Sequence, residues 1–221
     1  DNDGDLDLIV AGSSDYSTAD IIRVYTNNGI TFVANQSWQQ NLSYANVYGG
    51  SLALGDVNND GRLDLAISGA DTSGTQGIYI NNGSAFVKDN TWTHSDFPNG
   101  GRSLGLMALS WVDLDGDSRL DLVVMGSYST TFYANIYTNN GTSLVQNTSW
   151  EQNIALSLGW PSIAFGDYDS DGDMDMGYIG TRVGDRFYIY NNEKNSFCSN
   201  QTSSGDNLAG YFDGSIAFGD Y

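Results

Sequence analysis

The feature that most constrains this 221-residue chain is a nine-residue acidic loop that recurs along it. Its clearest copy, at residues 167–175, has a carboxylate at every second position and a glycine, Gly172, at position six. Two carboxylates about 5 Å apart repel each other by roughly 3 kcal/mol at an effective dielectric near 20. The loop is therefore predicted to bind a hard cation, since Ca²⁺ prefers a shell of about six to eight oxygen ligands. A solvated acidic turn is the alternative, and the recurrence of the pattern argues against it.

The copies follow one another at a regular spacing. Their final aspartates are 57, 57 and 54 residues apart. The copy at the start of the sequence lacks the first two residues of the loop, and these two residues occur at positions 220 and 221. Two copies vary, with Asn58 in place of a carboxylate and Ser118 in place of the glycine. We therefore predict one array of four repeats over residues 1–221. The loops are residues 1–7 completed by 220–221 (loop 1), 56–64 (loop 2), 113–121 (loop 3) and 167–175 (loop 4).

Ligands are predicted at the same five positions of each loop, which gives about four Ca²⁺ sites. The side chains at positions 1, 3, 5 and 9 would bind the ion together with the backbone carbonyl at position 7. The predicted metal residues are Asp220, Asp1, Asp3, Asp5 and Asp7; Asp56, Asn58, Asp60, Arg62 and Asp64; Asp113, Asp115, Asp117, Arg119 and Asp121; and Asp167, Asp169, Asp171, Asp173 and Asp175.

The net charge of −19 follows mainly from these loops, which hold 17 of the 27 acidic residues. Bound calcium would cancel up to about eight of those charges. So acidic a chain would repel the phosphates of nucleic acid, which excludes that partner. The sequence contains no apolar run of about 20 residues, so no membrane span is predicted.

Each period contains four short runs typical of strands and no helical periodicity, which predicts an all-β fold. A run of small residues precedes the loops, bulkier before loop 3, and an apolar run follows each of them, so the loop is predicted to join two strands of a hairpin. The third run ends in Asn-Asn-Gly, as at residues 27–29, which predicts a type I′ turn. The last period departs from this pattern, with Asn192-Glu193-Lys194. Residues 215–219 are predicted to be the first strand of the unit that contains residues 6–38.

The order of motifs resembles the FG-GAP/VCBS repeat of integrin α-subunit propellers and of many microbial surface proteins. The Phe-Gly half of the motif stands at Phe165-Gly166 and Phe218-Gly219, and the resemblance covers all four periods. It implies tandem four-stranded antiparallel β-propeller blades that bind ligands through their loops. An EF-hand is a poor alternative, because Ile67 occupies the position of its last ligand, where glutamate is required.

Several features favour a secreted or cell-surface protein. Six Asn-x-Ser/Thr sequons occur, which predict surface glycans, and weak calcium sites suit the extracellular calcium concentration. The single cysteine, Cys198, excludes an intrachain disulfide; a buried or unreactive thiol and an intermolecular bridge are the two alternatives. The predicted glycosylation sites are Asn35, Asn41, Asn82, Asn140, Asn147 and Asn200.

No catalytic pattern stands out. His94-Ser95-Asp96 contains the residue types of a hydrolase triad, but sequence neighbours rarely converge on one reacting atom. Tryptophans follow the fourth run in three periods and would pack between blades or stack on sugars. These are Trp38, Trp92 and Trp150.

We therefore expect a non-catalytic, calcium-stabilised extracellular repeat protein with a structural or adhesive role, as one unit of a longer array or fibre. A closed four-bladed ring and one half of an eight-bladed propeller are the alternatives to the array. Its expected partners are copies of itself placed end to end, and an extracellular protein or glycan ligand. The resemblance also includes lectin-like modules and appendages of polysaccharide-degrading enzymes, so a carbohydrate-binding module is the alternative.

Overall fold

The computed structural model describes residues 1–13, 20–42, 48–70, 76–92, 105–128, 131–154, 159–181, 186–202 and 214–219. These residues form four antiparallel sheets and two four-residue helices, so the predicted all-β fold of tandem propeller-type blades is confirmed. The chain divides into two compact units, Asp1–Gly105 and Leu106–Tyr221. Each unit contains two of the sheets. No helix in the described part of the chain is long and apolar enough to cross a membrane.

The first unit contains one three-stranded and one four-stranded sheet, in which sequential strands are neighbours. Sheet 1 consists of β1 (Leu8–Ser13), β2 (Asp20–Asn27) and β3 (Phe32–Ala34) and is followed by helix α1 (Gln36–Gln39). Sheet 2 consists of β4 (Tyr48–Gly55), β5 (Asp64–Ala70), β6 (Gly77–Asn81) and β7 (Phe86–Lys88).

The second unit contains two four-stranded sheets with the same order of strands. Sheet 3 consists of β8 (Gly105–Val112), β9 (Asp121–Tyr128), β10 (Thr131–Asn139) and β11 (Leu144–Gln146) and is followed by helix α2 (Thr148–Glu151). Sheet 4 consists of β12 (Gly159–Gly166), β13 (Asp175–Thr181), β14 (Arg186–Asn192) and β15 (Phe197–Thr202).

The acidic loops join the first two strands of the four-stranded sheets, as predicted. At the base of loop 2, Gly55 pairs with Asp64, and Gly166 pairs with Asp175 at the base of loop 4. The first and last positions of loops 2 and 4 are therefore held at the end of an antiparallel hairpin.

Each unit has a core between the faces of its two sheets. Successive residues of a strand point to opposite faces of the sheet, so we name each face by the residues it carries in the strand that follows the acidic loop. The rear face carries the first and third residues after the loop, and the front face carries the second and fourth. In the first unit, the front face of sheet 1 packs on the rear face of sheet 2; in the second unit, sheet 3 packs on sheet 4 in the same way. The front faces comprise Ile9, Ala11, Ile22 and Val24, and Val123, Met125, Ala134 and Ile136; the rear faces comprise Leu65, Ile67, Tyr79 and Phe86, and Met176, Tyr178, Tyr190 and Phe197.

Two of the three tryptophans, Trp38 and Trp150, belong to these cores, as expected for packing between blades. Trp38 meets Phe86 edge-on with ring centroids 5.2 Å apart, and Trp150 meets Phe197 at 5.0 Å. Edge-to-face contact is a preferred geometry for aromatic pairs and adds to the stabilisation from burial. Each tryptophan thus binds one sheet to the next within its unit.

The two helices were not predicted, because four residues are too few to show a periodicity. Their sequence signal is the asparagine at the N-cap. The Asn35 side chain accepts hydrogen bonds from the N–H groups of Ser37 and Trp38, and Asn147 accepts one from Ser149. Asparagine is a preferred N-cap residue because it satisfies such unpaired N–H groups. Two of the predicted sequons are therefore also helix caps that orient the buried tryptophans.

The prediction of a type I′ turn at Asn-Asn-Gly is wrong. Only the glycine of each copy, such as Gly29 with φ +78°, has a positive φ, whereas a type I′ turn needs two such residues. The Asn28 side chain instead accepts hydrogen bonds from the N–H groups of Ile30 and Thr31. This side-chain-to-backbone bonding builds a four-residue loop, since Asn27 pairs with Phe32.

Residues 214–219 also differ from their prediction. They form no strand in the described part of the chain and do not belong to sheet 1. They lie on the front face of sheet 4, where a Cβ atom added to Gly177 would meet Ile216 and Phe218 within 3.1 Å. Cys198 is a free, exposed thiol, so the interpretation as a buried thiol is also wrong.

Candidate metal sites

The acidic loops share a backbone conformation in which two positions lie in the left-handed region. Positions 4 and 6 have positive φ values in all four copies, between +57° and +100°. The sequence analysis identified only position 6, because position 4 has no common residue type. Loop 3 exchanges the two, with Gly116 at position 4 and Ser118 at position 6. The positive-φ residues are Asn2 and Gly4, Asn59 and Gly61, Gly116 and Ser118, and Ser170 and Gly172.

The carboxylate at position 1 accepts hydrogen bonds from backbone N–H groups of the same loop and so stabilises this turn. In loop 2, the Asp56 carboxylate accepts hydrogen bonds from the N–H groups of Asp60 at 2.9 Å and Gly61 at 2.8 Å. Asp113 and Asp167 accept the equivalent bonds in loops 3 and 4. Each carboxylate oxygen of Asp56 and Asp167 still has a lone pair for a cation, since such an oxygen accepts at about two sites. Oδ1 of Asp113 also accepts the N–H of Gly116, so in loop 3 the lone pair remains on Oδ2.

The aspartate at position 9 links the loop to the hairpin between the third and fourth strands. Asp64 is fully buried, and its oxygens accept the N–H of Val57 at 3.1 Å and that of Asn81 at 2.8 Å. The Asn81 side chain returns a hydrogen bond to the carbonyl of Leu63 at 3.2 Å. The sequence analysis missed this asparagine, although the recurrent Asn-Asn-Gly is its signal. Its counterparts Asn139 and Asn192 bond Asp121 and Asp175 in the same way, and Asn27 donates to Asp7.

Burial raises the pKa of two position-9 carboxyl groups. It raises the pKa of Asp64 to about 6, against the lowering effect of the Asn81 and Val57 N–H donors. The pKa of Asp121 also rises to about 6 through burial, with Asp115 and Asp117 adding repulsion. A nearby cation would lower both pKa values, because it favours the charged form. Without a cation, these loops hold buried negative charge at neutral pH.

Carboxylates converge in loops 3 and 4. Ligand oxygens of Asp113, Asp115 and Asp117 lie within 4.8 Å of one another, as do those of Asp167, Asp169 and Asp175. Three of the four predicted side-chain ligands are thus brought together in each loop, without Asp121 in one and Asp171 in the other. Within the described residues, loops 1 and 2 show no such set of three. The donors are all oxygens, which fits a hard divalent cation such as Ca²⁺.

Position 7 divides the loops into two kinds. Arg62 forms an ion pair with Asp60 at 2.5 Å and donates its Nε–H to the carbonyl of Asn81 at 2.8 Å. Arg119 likewise pairs with Asp117 and donates to the carbonyl of Asn139 at 2.8 Å. Loop 4 has Asp173 here, with the Lys194 ammonium group 4.0 Å away. Loops 2 and 3 therefore contain a cation of their own beside the predicted ligand at position 5.

Loop 1 is described only in part, because Asp220 lies outside the described residues. Within it, Asp3 accepts the N–H of Asp5 at 2.9 Å. Asp7 accepts the N–H of Asn27 and pairs with the Asp1 ammonium group at 2.8 Å. Burial acts to raise the pKa of Asp7, but this ammonium group and the Asn27 N–H lower it overall. His94-Ser95-Asp96 also lies outside the described residues.

Two cavities lie beside the loops, one in each unit. The cavity between loops 1 and 2 has a volume of about 390 Å³ and combines apolar walls, including Trp38 and Phe86, with Arg62 and Asn81. The cavity between loops 3 and 4 has a volume of about 500 Å³ and is lined by Trp111, Phe165 and loop residues.

Comparisons with known proteins agree with the repeat architecture. A structure described as the basis of specific recognition of non-reducing terminal N-acetylglucosamine by an Agrocybe aegerita lectin has a TM-score of 0.54 and 19% identity. The match covers 89% of this chain and 52% of that one, so the chain spans about half the length of the lectin. Comparison with curated protein sequences gave no match. The model of the FG-GAP-like repeat matches three times, at residues 1–67, 56–124 and 113–178. The chain therefore belongs to the FG-GAP-like repeat family.

Proposed function

We propose that this chain is a non-catalytic, calcium-stabilised repeat module of an extracellular protein, with a structural or adhesive role. The observation that carries the proposal is the convergence of three carboxylates within 4.8 Å in loops 3 and 4. Their mutual repulsion would be relieved by a hard cation that accepts oxygen ligands. Asp113, Asp115 and Asp117 would hold it in loop 3, and Asp167, Asp169 and Asp175 in loop 4.

The position of the loops supports a structural role for the ion. Asp64, Asp121 and Asp175 connect each loop to the strand that follows it and to the asparagine of the next hairpin. A cation that orders the loop would therefore also stabilise the sheet, because metal-binding energy becomes folding energy. Loop 2 is expected to bind most weakly, since Asn58 replaces a carboxylate.

The experiment is a thermal melt in calcium and in chelator. Calcium is expected to stabilise the protein by several kcal/mol, as it does when the metal binds only the folded state. The triple variant Asp113→Asn, Asp115→Asn, Asp117→Asn should lose part of this gain. Glu193→Gln, which removes one exposed charge outside the loops, is the matched control and should retain it. A melting temperature unchanged by chelator would overturn the proposal.

Carbohydrate binding is the second candidate function, and the cavity of about 390 Å³ in the first unit favours it. The exposed apolar side chains of Leu54 and Leu63 line it together with Arg62, whose guanidinium group has donors beyond the two it uses within the fold, a combination that suits a sugar ring. The similar lectin structure concerns N-acetylglucosamine recognition. A glycan array and calorimetry with N-acetylglucosamine would separate the two functions. Retention of one defined sugar, weakened by Arg62→Ala, is expected only of a lectin.

A further inference from the structure

Asn192 contacts both acidic loops of the second unit. It is the last residue of β14 and is 2% exposed. Its backbone N–H donates to Oδ1 of Asp175, the last residue of loop 4, at 2.9 Å. Its side-chain Nδ2 donates to the carbonyl of Leu114 in loop 3 at 2.8 Å, although the two residues are 78 positions apart. One buried residue therefore bonds two loops that belong to different sheets.

The orientation of the Asn192 amide group is set by its other partners. Its Oδ1 accepts the N–H of Lys194 at 2.7 Å, and its Nδ2 also donates to the carbonyl of Met174 at 3.2 Å. These bonds use both N–H donors of the amide and one acceptor site on its oxygen. A reversed amide would turn its oxygen towards two carbonyls. The hydrogen bond to loop 3 is therefore a fixed part of the fold.

The peptide that Asn192 holds in loop 3 lies inside the predicted ligand set. Leu114 stands between Asp113 and Asp115, two of the three carboxylates that converge there. Its N–H donates to Asp121 at 2.9 Å, and its side chain belongs to the core between sheets 3 and 4. A movement of Leu114 would therefore displace two predicted ligands of loop 3.

The contact of Asn192 with loop 4 is more direct. Asp175 is itself one of the three carboxylates that converge in that loop. Its second oxygen accepts the N–H of Tyr168 at 2.8 Å, inside the loop. Ordering either loop therefore restricts the same residue, Asn192, and through it the other loop.

We propose that Asn192 couples the two cation sites of the second unit, so that occupancy of loop 3 raises the calcium affinity of loop 4, and the reverse. This inference rests on the calcium binding proposed above. The first ion orders the contacts that the loops share, so the second ion binds a loop that is already partly ordered. The coupling is reciprocal, and we expect a factor of about 5, at the low end of the usual range.

Charge alone would give coupling of the opposite sign. A divalent cation in one loop makes the neighbouring site less negative and so lowers its affinity for a second cation. Electrostatic repulsion between the two ions therefore predicts a Hill coefficient below 1, whereas coupling through Asn192 predicts a coefficient above 1.

The test is a calcium titration of the 221-residue chain followed by NMR at one backbone amide in each loop. The N–H of Ser118 donates to Asp113 at 2.9 Å, and that of Gly172 donates to Asp167 at 3.1 Å, so the two signals report on loops 3 and 4 separately. Both signals should titrate with a Hill coefficient above 1. Asn192→Ala removes the side-chain bonds but keeps the backbone N–H, and it should lower both coefficients to 1 or less.

Asn191→Ala is the matched control. The Asn191 side chain donates to Asp169 of loop 4 at 2.8 Å, so this variant should change the midpoint of loop 4 and keep both coefficients above 1. Coefficients of 1 or less in the unmodified chain would overturn the inference without any variant, and the proposed calcium binding would stand. Coefficients that stay above 1 in Asn192→Ala would also overturn it. Signals that calcium leaves unchanged would overturn both proposals.

Discussion

The backbone N–H of Asn139 donates to Oδ1 of Asp121 at 2.8 Å, although the two residues are 18 positions apart. The other carboxylate oxygen of Asp121 accepts the N–H of Leu114 at 2.9 Å, inside loop 3. One buried carboxylate therefore joins the acidic loop, the strand that follows it and the far hairpin of the same blade. The same relationship in loops 2 and 4 makes it a structural rule of the repeat.

Replacing Asp121 should therefore destabilise the protein even without metal. Asp121→Ala leaves two buried N–H groups unpaired, at about 1–3 kcal/mol each, so a loss of roughly 2–6 kcal/mol is expected. Urea denaturation in chelator measures it. Asp115→Ala removes an exposed aspartate of the same loop and should cost less than about 1 kcal/mol under the same conditions. Equal losses for the two variants would contradict the structural role of Asp121.

The pH dependence of stability should reverse when calcium is removed. Burial raises the pKa of Asp64 and Asp121 from 3.8 to about 6, so their protonated forms are favoured in the folded state. Each group contributes up to about 3 kcal/mol to the free energy of unfolding. This contribution is complete below about pH 4 and is lost as pH rises through 6. In chelator, the free energy of unfolding should therefore rise as pH falls from 7 towards 5.

With calcium present, the same acidification should lower stability, because protons compete with the metal for carboxylates. The double variant Asp64→Asn, Asp121→Asn is the control and should show a smaller gain on acidification in chelator. Urea midpoints at pH 5, 6 and 7 in both conditions provide the measurement. If acidification lowers the free energy of unfolding in chelator as well, the result would count against buried, uncompensated carboxylates.

The repeat and its loops could be read from the sequence because they depend on local chemistry. Alternating carboxylates and a glycine predict a cation-binding turn, and their spacing predicts blades, so the fold of sheets 2, 3 and 4 was within reach. The role of Asn81 could not be predicted from the sequence, because it depends on a contact with Asp64, 17 residues away along the chain. The placement of residues 214–219 was missed because their sequence pattern predicts a strand, whereas their position depends on packing of Phe218 against Gly166 and Gly177, which the pattern does not encode.

Arg119 should act as a partial substitute for the metal in loop 3. Its pair with Asp117 is partly exposed and is expected to contribute less than about 1 kcal/mol, so Arg119→Met should lower stability in chelator by about 0.5–1 kcal/mol. The same change removes a positive charge beside the proposed cation site and should tighten calcium binding by a few-fold. Calorimetric titration checks the second effect. Lys88→Met, which removes a cation outside the loops, should leave calcium binding unchanged.

Glycosylation should follow the exposure of the sequons. Asn82 and Asn140 are exposed, and in each the neighbouring hydroxyl of Ser84 or Thr142 donates to the asparagine Oδ1 at 2.9 Å, so the Nδ2 atom remains available. Asn41 instead uses its Nδ2 to donate to the carbonyl of Phe86 at 2.8 Å. Protein secreted from a eukaryotic host should carry more glycan at Asn82 and Asn140 than at Asn41. Glycopeptide mass spectrometry measures the occupancy, and a dominant Asn41 glycan would contradict this order.

Replacing Ser118 by glycine should stabilise loop 3. It has a φ of +67° at position 6, where the other three loops have glycine. A side chain in the left-handed region costs about 1 kcal/mol, which glycine avoids, although glycine also gains entropy in the unfolded chain. Ser118→Gly should therefore raise the free energy of unfolding by a few tenths to about 1 kcal/mol.

Gly172→Ser introduces the same residue at the same position of loop 4, with φ +94°, and should lower stability by at least as much. Chemical denaturation of both variants at saturating calcium provides the measurement. Destabilisation by Ser118→Gly would mean that the serine side chain makes a contact worth more than the strain of its backbone.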